Sequence, residues 1–321
     1  MSTRTSTHIP SRPRTPAAHA TAHTAAIAAG RCPDMATLDT GAIAVARTWQ
    51  GASRLVQPAR IQRNGAWYVA EYRLRNLSKW WGALLAFGLG NPVLYLASIG
   101  LGVGALVNRN GPNALPDGVA YLTFLAPALL ATAAIQGTQD EVTFPLMHGL
   151  KWERVFYAMQ STAITPTQIA QGVMITAVIR SVFTAGIYWL VLWVVGGFTS
   201  ANAILAMPAA IVAGVSFACL MLALTVRFID SQMFLASIGR FVLTPMFMFS
   251  GTFFPLESMP LAVRWIGWIS PLWHATDLGR VLTYGKAVPG WLVLTHIAYL
   301  LLLGAVTFII GSRMMTKKMT G

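Results

Sequence analysis

The 321-residue chain is 55% apolar and only 10% charged, with a mean hydropathy of +0.58. A soluble globular domain carries about 25% charged residues, so charge this scarce cannot cover a water-exposed surface and excludes a soluble fold. The formal net charge of +13 resembles that of a nucleic-acid binder until it is mapped. Eleven of the 23 Lys and Arg precede Trp81, against three acids, Asp34, Asp39 and Glu71. No RNA-binding or helix-turn-helix pattern accompanies them, so nucleic acid is not an expected partner. The excess reads instead as a cytoplasmic region held near anionic membrane lipid. Cys32 lies in a polar tail and Cys219 in an apolar run, which gives no disulfide framework.

Residues 1–58 are rich in Ala, Thr, Ser, Pro and Arg without periodicity and are expected to form a disordered basic tail. A transit peptide would share that composition. Residues 59–321 form the expected transmembrane domain. Over about residues 64–81, Trp67, Ala70, Leu74, Leu77 and Trp81 recur at helical spacing while Glu71, Arg75 and Lys79 fall elsewhere. That pattern predicts an amphipathic helix in the membrane interface, set off from the first span by a bend. Six apolar runs follow, each near the ~20 residues a helix needs to cross a hydrocarbon core of about 30 Å. They cover about 82–107 (with an Asn91-Pro92 break), 119–138 (with Pro127), 171–196, 203–226, 233–254 and 291–311. The loop Gly197 to Asn202 is uncharged and predicts a tight hairpin.

The predicted fold class is an all-α integral membrane protein with six transmembrane helices. Both ends of the chain are basic, the C-terminal one through Arg313, Lys317 and Lys318. An even number of spans puts both termini on the cytoplasmic side of a cell membrane. Two segments break the hairpin pattern. Residues 140–170 are too long for a turn and too polar to span, and predict a cytoplasmic helix, a Pro-bounded turn at Ile164-Thr165-Pro166-Thr167, then the third span. Residues 255–290 hold Trp265, Trp268 and Trp273 with Glu257, Arg264, Asp277 and Arg280. Too interrupted to span and too apolar to leave the membrane, they predict a re-entrant helical hairpin on the outer side.

Six spans with a cytoplasmic helical loop after the second and a re-entrant hairpin after the fifth resemble an ABC-2 type transporter permease. The stretch Ser250-Gly251-Thr252-Phe253-Phe254-Pro255-Leu256, Met259-Pro260, Ser270-Pro271-Leu272, Asp277 and Arg280 is similar to the signature of its drug-export and nodulation-type lipo-oligosaccharide permeases. The resemblance implies an exporter subunit for amphipathic, lipid-linked or glycan-type substrates that works with a separate ATP-binding cassette ATPase. ATP and Mg would then sit on that partner, and the chain itself would hold no cofactor. In agreement, no G-x-x-x-x-G-K-[ST] sequence is present. A second copy of the chain, or a homologous permease, is the other implied partner. The shared pathway would run between first, second and fifth spans, with Gly82, Gly88 and Gly90 allowing close approach.

Thr143 to Gln160 is the expected coupling segment, with Lys151, Glu153 and Arg154 as polar contacts to the ATPase and Trp152, Phe156 and Tyr157 beside them; a solvated loop helix is the plainer reading. Arg180 and Arg240 are charges inside predicted spans and, with Asn91, are candidates for a pathway or gate. A charge there needs a partner, a wet cavity or a route to the headgroups. Asp277 and Arg280, three residues apart on one helix face, are expected to pair with each other or with a substrate headgroup near the outer exit, the structural ion pair being the plainer reading. Trp265, Trp268 and Trp273 around them read as an interfacial belt. His148, His274 and His296 are scattered, with no metal-ligand spacing. No catalytic triad or paired carboxylates stand out, so the chain is not expected to be an enzyme. The alternatives are an intramembrane lipid-modifying enzyme, which needs clustered acids or histidines, and a secondary transporter, which needs intramembrane acids or an internal repeat.

Overall fold

The computed structural model describes residues 58–109 and 118–321. The expected tail, residues 1–57, and the loop following Arg109 lie outside the described residues.

Helix α1, Pro58–Ser78, ends in a turn at Lys79 and Trp80 before the chain turns helical again at Trp81. The sequence predicted such a bend, but not the face that is buried. Trp67 is exposed, while Gly65, Val69, Ala70 and Arg73 are buried, and α1 lies against the N-terminal half of the third span. Two glycines permit this. A Cβ on Gly172 would fall 2.6 Å from Val69 Cβ, and one on Gly65 would fall 2.6 Å from the Gln168 amide.

Residues 81–109 (α2) are helical in three consecutive stretches, Trp81–Tyr95, a π-helix at Leu96–Val103, and Gly104–Arg109. The backbone runs through Asn91-Pro92 without a break, and the irregularity is the wider π-turn just after it. Five helices are long and apolar enough to cross a membrane among the described residues, one fewer than the six expected: α3 (Tyr121–Trp152), α5 (Pro166–Val194), α6 (Ala201–Arg227), α7 (Gln232–Phe249) and α10 (Gly290–Thr320). Within α2, the predicted first span, the apolar helix covers only Val93–Val107 and is shorter than these five. Among these residues there is no strand.

Several boundaries differ from those predicted, each for a local reason. Helix α3 continues through the acids Asp140 and Glu141, bends at Thr143 (φ −91, ψ −86) and runs on to Trp152. The first half of the expected coupling segment is thus an extension of the second span; only α4 (Val155–Gln160) is separate. Helix α5 starts at Pro166, earlier than apolarity suggested, because Thr165 and Gln168 form a reciprocal capping box with Pro at the first turn. Helix α7 stops at Phe249, since Gly251 has φ +73. Between α7 and α10 lie two short helices, α8 (Leu261–Ile269) and α9 (Pro271–Tyr284).

Helix α3 is central: 83% of its apolar window is buried, against 17% for α7 and α10. Helix α10 nevertheless meets α6 closely, with Ser216 Oγ donating to the Leu300 carbonyl at 2.7 Å. Helix α9 is buried beside α3, α6 and the turn before α6, where the amides of Thr199 and Ser200 donate to the Thr283 carbonyl. Two ends of the bundle follow. One gathers Arg73, the end of α3, α4 and the end of α10, with Lys318 Nζ 3.2 Å from Asp230 Oδ2. The other gathers α8, α9 and the turn between α5 and α6.

Candidate functional site

At the first, basic end, α1, α2, α3 and α5 enclose a cavity of about 710 Å³. Its charged floor combines three helices. Arg73 of α1 reaches Glu141 Oε1 at 2.5 Å and the Glu141 carbonyl at 2.8 Å. Arg180 of α5 lies 3.3 Å from Glu141 Oε2 and 3.3 Å from Asp140 Oδ2. Arg73 and Glu141 are buried, whereas the Asp140 side chain is 64% exposed to the cavity. Burying a charge without a partner is prohibitive, and this interlocked set supplies the partners. Aromatic rings line the walls, among them Tyr72, Trp80, Phe144 and Trp152. A second cavity of about 320 Å³ shares Asn91, Gln136 and Tyr188 with the first and continues to Ser98 and Thr132. A polar track therefore leads from the charged floor along the face between α2, α3 and α5.

Of the three residues suggested for a pathway, Arg180 and Asn91 line this track. Arg240 is exposed in a π-turn of α7, Gly239–Leu243, and makes no ion pair among the described residues. Sequence reading missed Arg73, Asp140 and Glu141, because the adjacent acids looked like the start of a loop. The available signal was the coincidence of two acids at one span's end with a cation in each of two neighbouring helices.

The proposed coupling residues divide in two. Phe156 is buried, with its ring against Gly149 and 5.9 Å from the Arg73 guanidinium carbon. Trp152, Glu153 and Arg154 are exposed, and Tyr157 is half-buried. Arg154 adopts the left-handed conformation (φ 52) that separates α3 from α4. Glu153 sits 3.4 Å from His148 Nδ1, and Lys151 donates to the Asp230 carbonyl at 3.1 Å. A cavity of about 450 Å³ opens here between Lys151, Arg154, Tyr157, Asp230 and Lys318.

At the other end the motif residues close on one another. Ser250 Oγ lies 2.6 Å from Ser270 Oγ, and Ser270 caps α9 by accepting from the Leu272 amide. The left-handed Gly251 presents its carbonyl to Arg280 Nη2 at 2.6 Å, and the guanidinium lies 3.8 Å above the Phe124 ring of α3. Arg280 and Asp277 are both buried, but their pairing differs from the one expected. Asp277 Oδ1 pairs with Lys286 Nζ at 2.6 Å and Oδ2 lies 3.3 Å from His296 Nε2. Burial alone would raise the Asp277 carboxyl; the His296 ring, Lys286 and the Arg280 charge outweigh it and hold it down at about 2. His274 and His296, far apart in sequence, are in contact, with Nδ1 to Nδ1 at 2.7 Å. Trp273 sets its ring edge-on to both, whereas Trp265 and Trp268 are exposed.

The sequence profile of the ABC-2 type transporter family matches residues 67–284, a range that runs from α1 to the end of α9. The chain is 30% identical to Nodulation protein J of Rhizobium leguminosarum bv. viciae over 81% of its own length and 98% of that protein. It is 27% identical to Nodulation protein J of Rhizobium meliloti (strain 1021), over 81% and 97% of the two chains. Nodulation protein J of Neorhizobium galegae is also 27% identical, over 79% and 94%. With its apolar helical bundle and its interlocked Ser250-Gly251, Ser270-Pro271 and Arg280 motif, the chain belongs to the ABC-2 type transporter family as a multi-pass membrane transport subunit.

Proposed function

We propose that the chain is the permease of an exporter that takes an amphipathic substrate with a glycan headgroup from the cytoplasmic leaflet and releases it outward. In this reading α2 is the first of six spans, α1 lies in the interface, and the α8–α9 pair is re-entrant. Both termini face the cytoplasm of the cell membrane, because the basic end carries Arg73, Lys151, Arg154, Arg227, Lys317 and Lys318. A separate ATPase binding ATP and Mg docks at Lys151 to Tyr157. A second copy of the chain, or a homologous permease, completes the pathway. Nucleotide binding by the ATPase shifts the dimer between inward- and outward-facing states.

The observation that carries this reading is the 710 Å³ cavity at the basic end. Aromatic faces beside carboxylates and amides form a site in which a polyhydroxylated headgroup can stack and hydrogen-bond, and the cavity opens where α1 meets the membrane plane. The polar track beyond it leads toward the opposite end. The resemblance of the Ser250–Arg280 motif to that of nodulation-type lipo-oligosaccharide permeases supports a substrate of this kind.

The test uses the full chain, tagged and purified from its native membranes. An ABC-type ATPase should co-purify, and Lys151→Ala with Arg154→Ala should reduce its recovery at least about tenfold while the permease stays folded. In vesicles, export should require ATP. Substrate moved by the chain alone, driven by an ion gradient, would establish a secondary transporter instead. Conversion of a lipid by the chain alone would make it an enzyme.

A further inference from the structure

The contact between His274 and His296 has no part in the transport reading, and its geometry fixes a proton count. His274 Nε2 lies 3.0 Å from the Trp268 carbonyl oxygen, which can only accept, so this nitrogen bears a proton. The two Nδ1 atoms, 2.7 Å apart, need one proton between them. His296 Nε2 lies 3.3 Å from Asp277 Oδ2, at ion-pair distance, and has no hydrogen-bond partner among the described residues. Asp277 is ionised against Lys286, and a lone pair on this nitrogen would face that negative charge, so this nitrogen too bears a proton. Three N–H protons are required on two rings, whereas two neutral imidazoles supply two.

We propose that His274 and His296 form a buried proton-binding site that holds one extra proton and fastens α9 to α10 while that proton is present. The count holds whichever ring carries the charge. Without the extra proton, one of the three contacts sets two lone pairs against each other. A second extra proton is opposed as well. Burial, together with the His296 ring, pulls His274 down to about 4, and the Trp268 carbonyl and Asp277 only partly offset this.

Among the described residues, the surroundings supply no other proton carrier for these contacts. Helix α9 contributes Asp277 and Arg280, the latter engaged with Gly251 and Phe124. Lys286, after α9, is on Asp277. Helix α10 contributes Tyr299, stacked on His274 at 4.0 Å with its hydroxyl donating to the Ile269 carbonyl. Helix α8 contributes Arg264, bonded to the Met259 and Glu257 carbonyls. Over Ala206 to Phe217, α6 has no titratable residue. In α5, Arg180 and Tyr188 line the cavity at the basic end. His296 itself is 0% exposed, so the proton exchanges only when the α9–α10 joint opens. If that end faces outward, as the proposed orientation places it, the joint responds to external pH.

Thermal unfolding of the purified full chain in detergent, from about pH 5 to 9, reads the site directly. An unfolded histidine titrates near 6.5. Below that value the unfolded chain takes up two protons where the folded site holds one, so stability rises with pH. Above it the unfolded chain holds none, so stability falls as the pH climbs through the site's own value. The wild-type midpoint should therefore peak near pH 6.5 relative to the double variant His274→Gln with His296→Gln, whose other four histidines are shared and cancel. Asp277→Asn, whose amide can donate to a neutral His296, should lose the alkaline fall. Wild-type and double-variant profiles that superimpose would overturn the site. Should these variants not fold, nitrogen NMR of the wild-type imidazoles counts the protons: three N–H nitrogens for the pair support the proposal, and two refute it.

Discussion

Glu141 holds two cations from two other helices, one through each carboxylate oxygen. Exchange for glutamine keeps the shape but removes the charge that stabilises Arg73, which is only 6% exposed. Removing one partner of a buried pair costs about 3–5 kcal/mol, because the other charge is left uncompensated. Glu141→Gln is therefore expected to lower the unfolding midpoint by on the order of ten degrees. Asp140, largely exposed to the cavity, contributes less to folding, and Asp140→Asn should stay within about 1 kcal/mol of wild type. Its effect belongs on transport, since it removes a carboxylate charge facing the cavity. Equal melting shifts for the two variants would contradict this division of roles.

Among the elements, α1 depends on a close approach rather than on strong chemistry. A valine at Gly172 would drive its side chain into Val69 and the Ala66 carbonyl oxygen, both within 2.7 Å of the new Cβ. Overpacking of this kind costs about 1–3 kcal/mol, and here the shift is concentrated on one helix. Gly172→Val should detach and loosen α1, so that trypsin can cleave its backbone after the already exposed Arg63 and Arg75, while the fragment from α3 to α10 stays resistant; unchanged digestion would show α1 held by other means. The existence of α1 was legible in its 3.6-residue apolar repeat. Its buried face was not, because the repeat through Trp67 and Leu74 scored apolarity, while the packed face is chosen by glycine and an ion pair. The long apolar runs gave the spanning helices for the opposite reason: each satisfies its own backbone and needs no neighbour to be recognised. Contacts across helices escaped detection. His274 and His296 are meaningless as a spacing, and only the fold brings the two rings together. The motif at Ser250-Gly251, Ser270 and Arg280 was visible as a pattern, and its physical content, a carbonyl and two hydroxyls locking α9 in place, was not.

For the whole molecule, the unequal burial of the helices indicates where the proposed second copy would fit. Helix α3 has its surface occupied within the subunit, so of the three spans expected at a shared interface, only α2 and α7 keep a free face. On α7, Met233 and Phe241 are exposed, Phe241 at 77%; on α2, Leu94 and Leu106 are exposed. A Cβ at Gly82 or Gly90 would meet nothing within 4 Å, so another helix backbone can approach there. Helix α10 is equally exposed on its outer side but is anchored along its length to α6, as expected of a helix that meets lipid. These differences predict a C2 contact centred on α2 and α7. A single cysteine in place of Phe241, in a chain with Cys32 and Cys219 replaced by serine, should form a covalent dimer in native membranes under mild oxidation or with a short bismaleimide. Leu302→Cys on the lipid-facing side of α10 should not. Equal crosslinking from both positions would mean random collision in the bilayer. Crosslinking from Leu302 alone would move the interface to α10, and the polar track between α2, α3 and α5 would then open toward lipid rather than toward a second subunit.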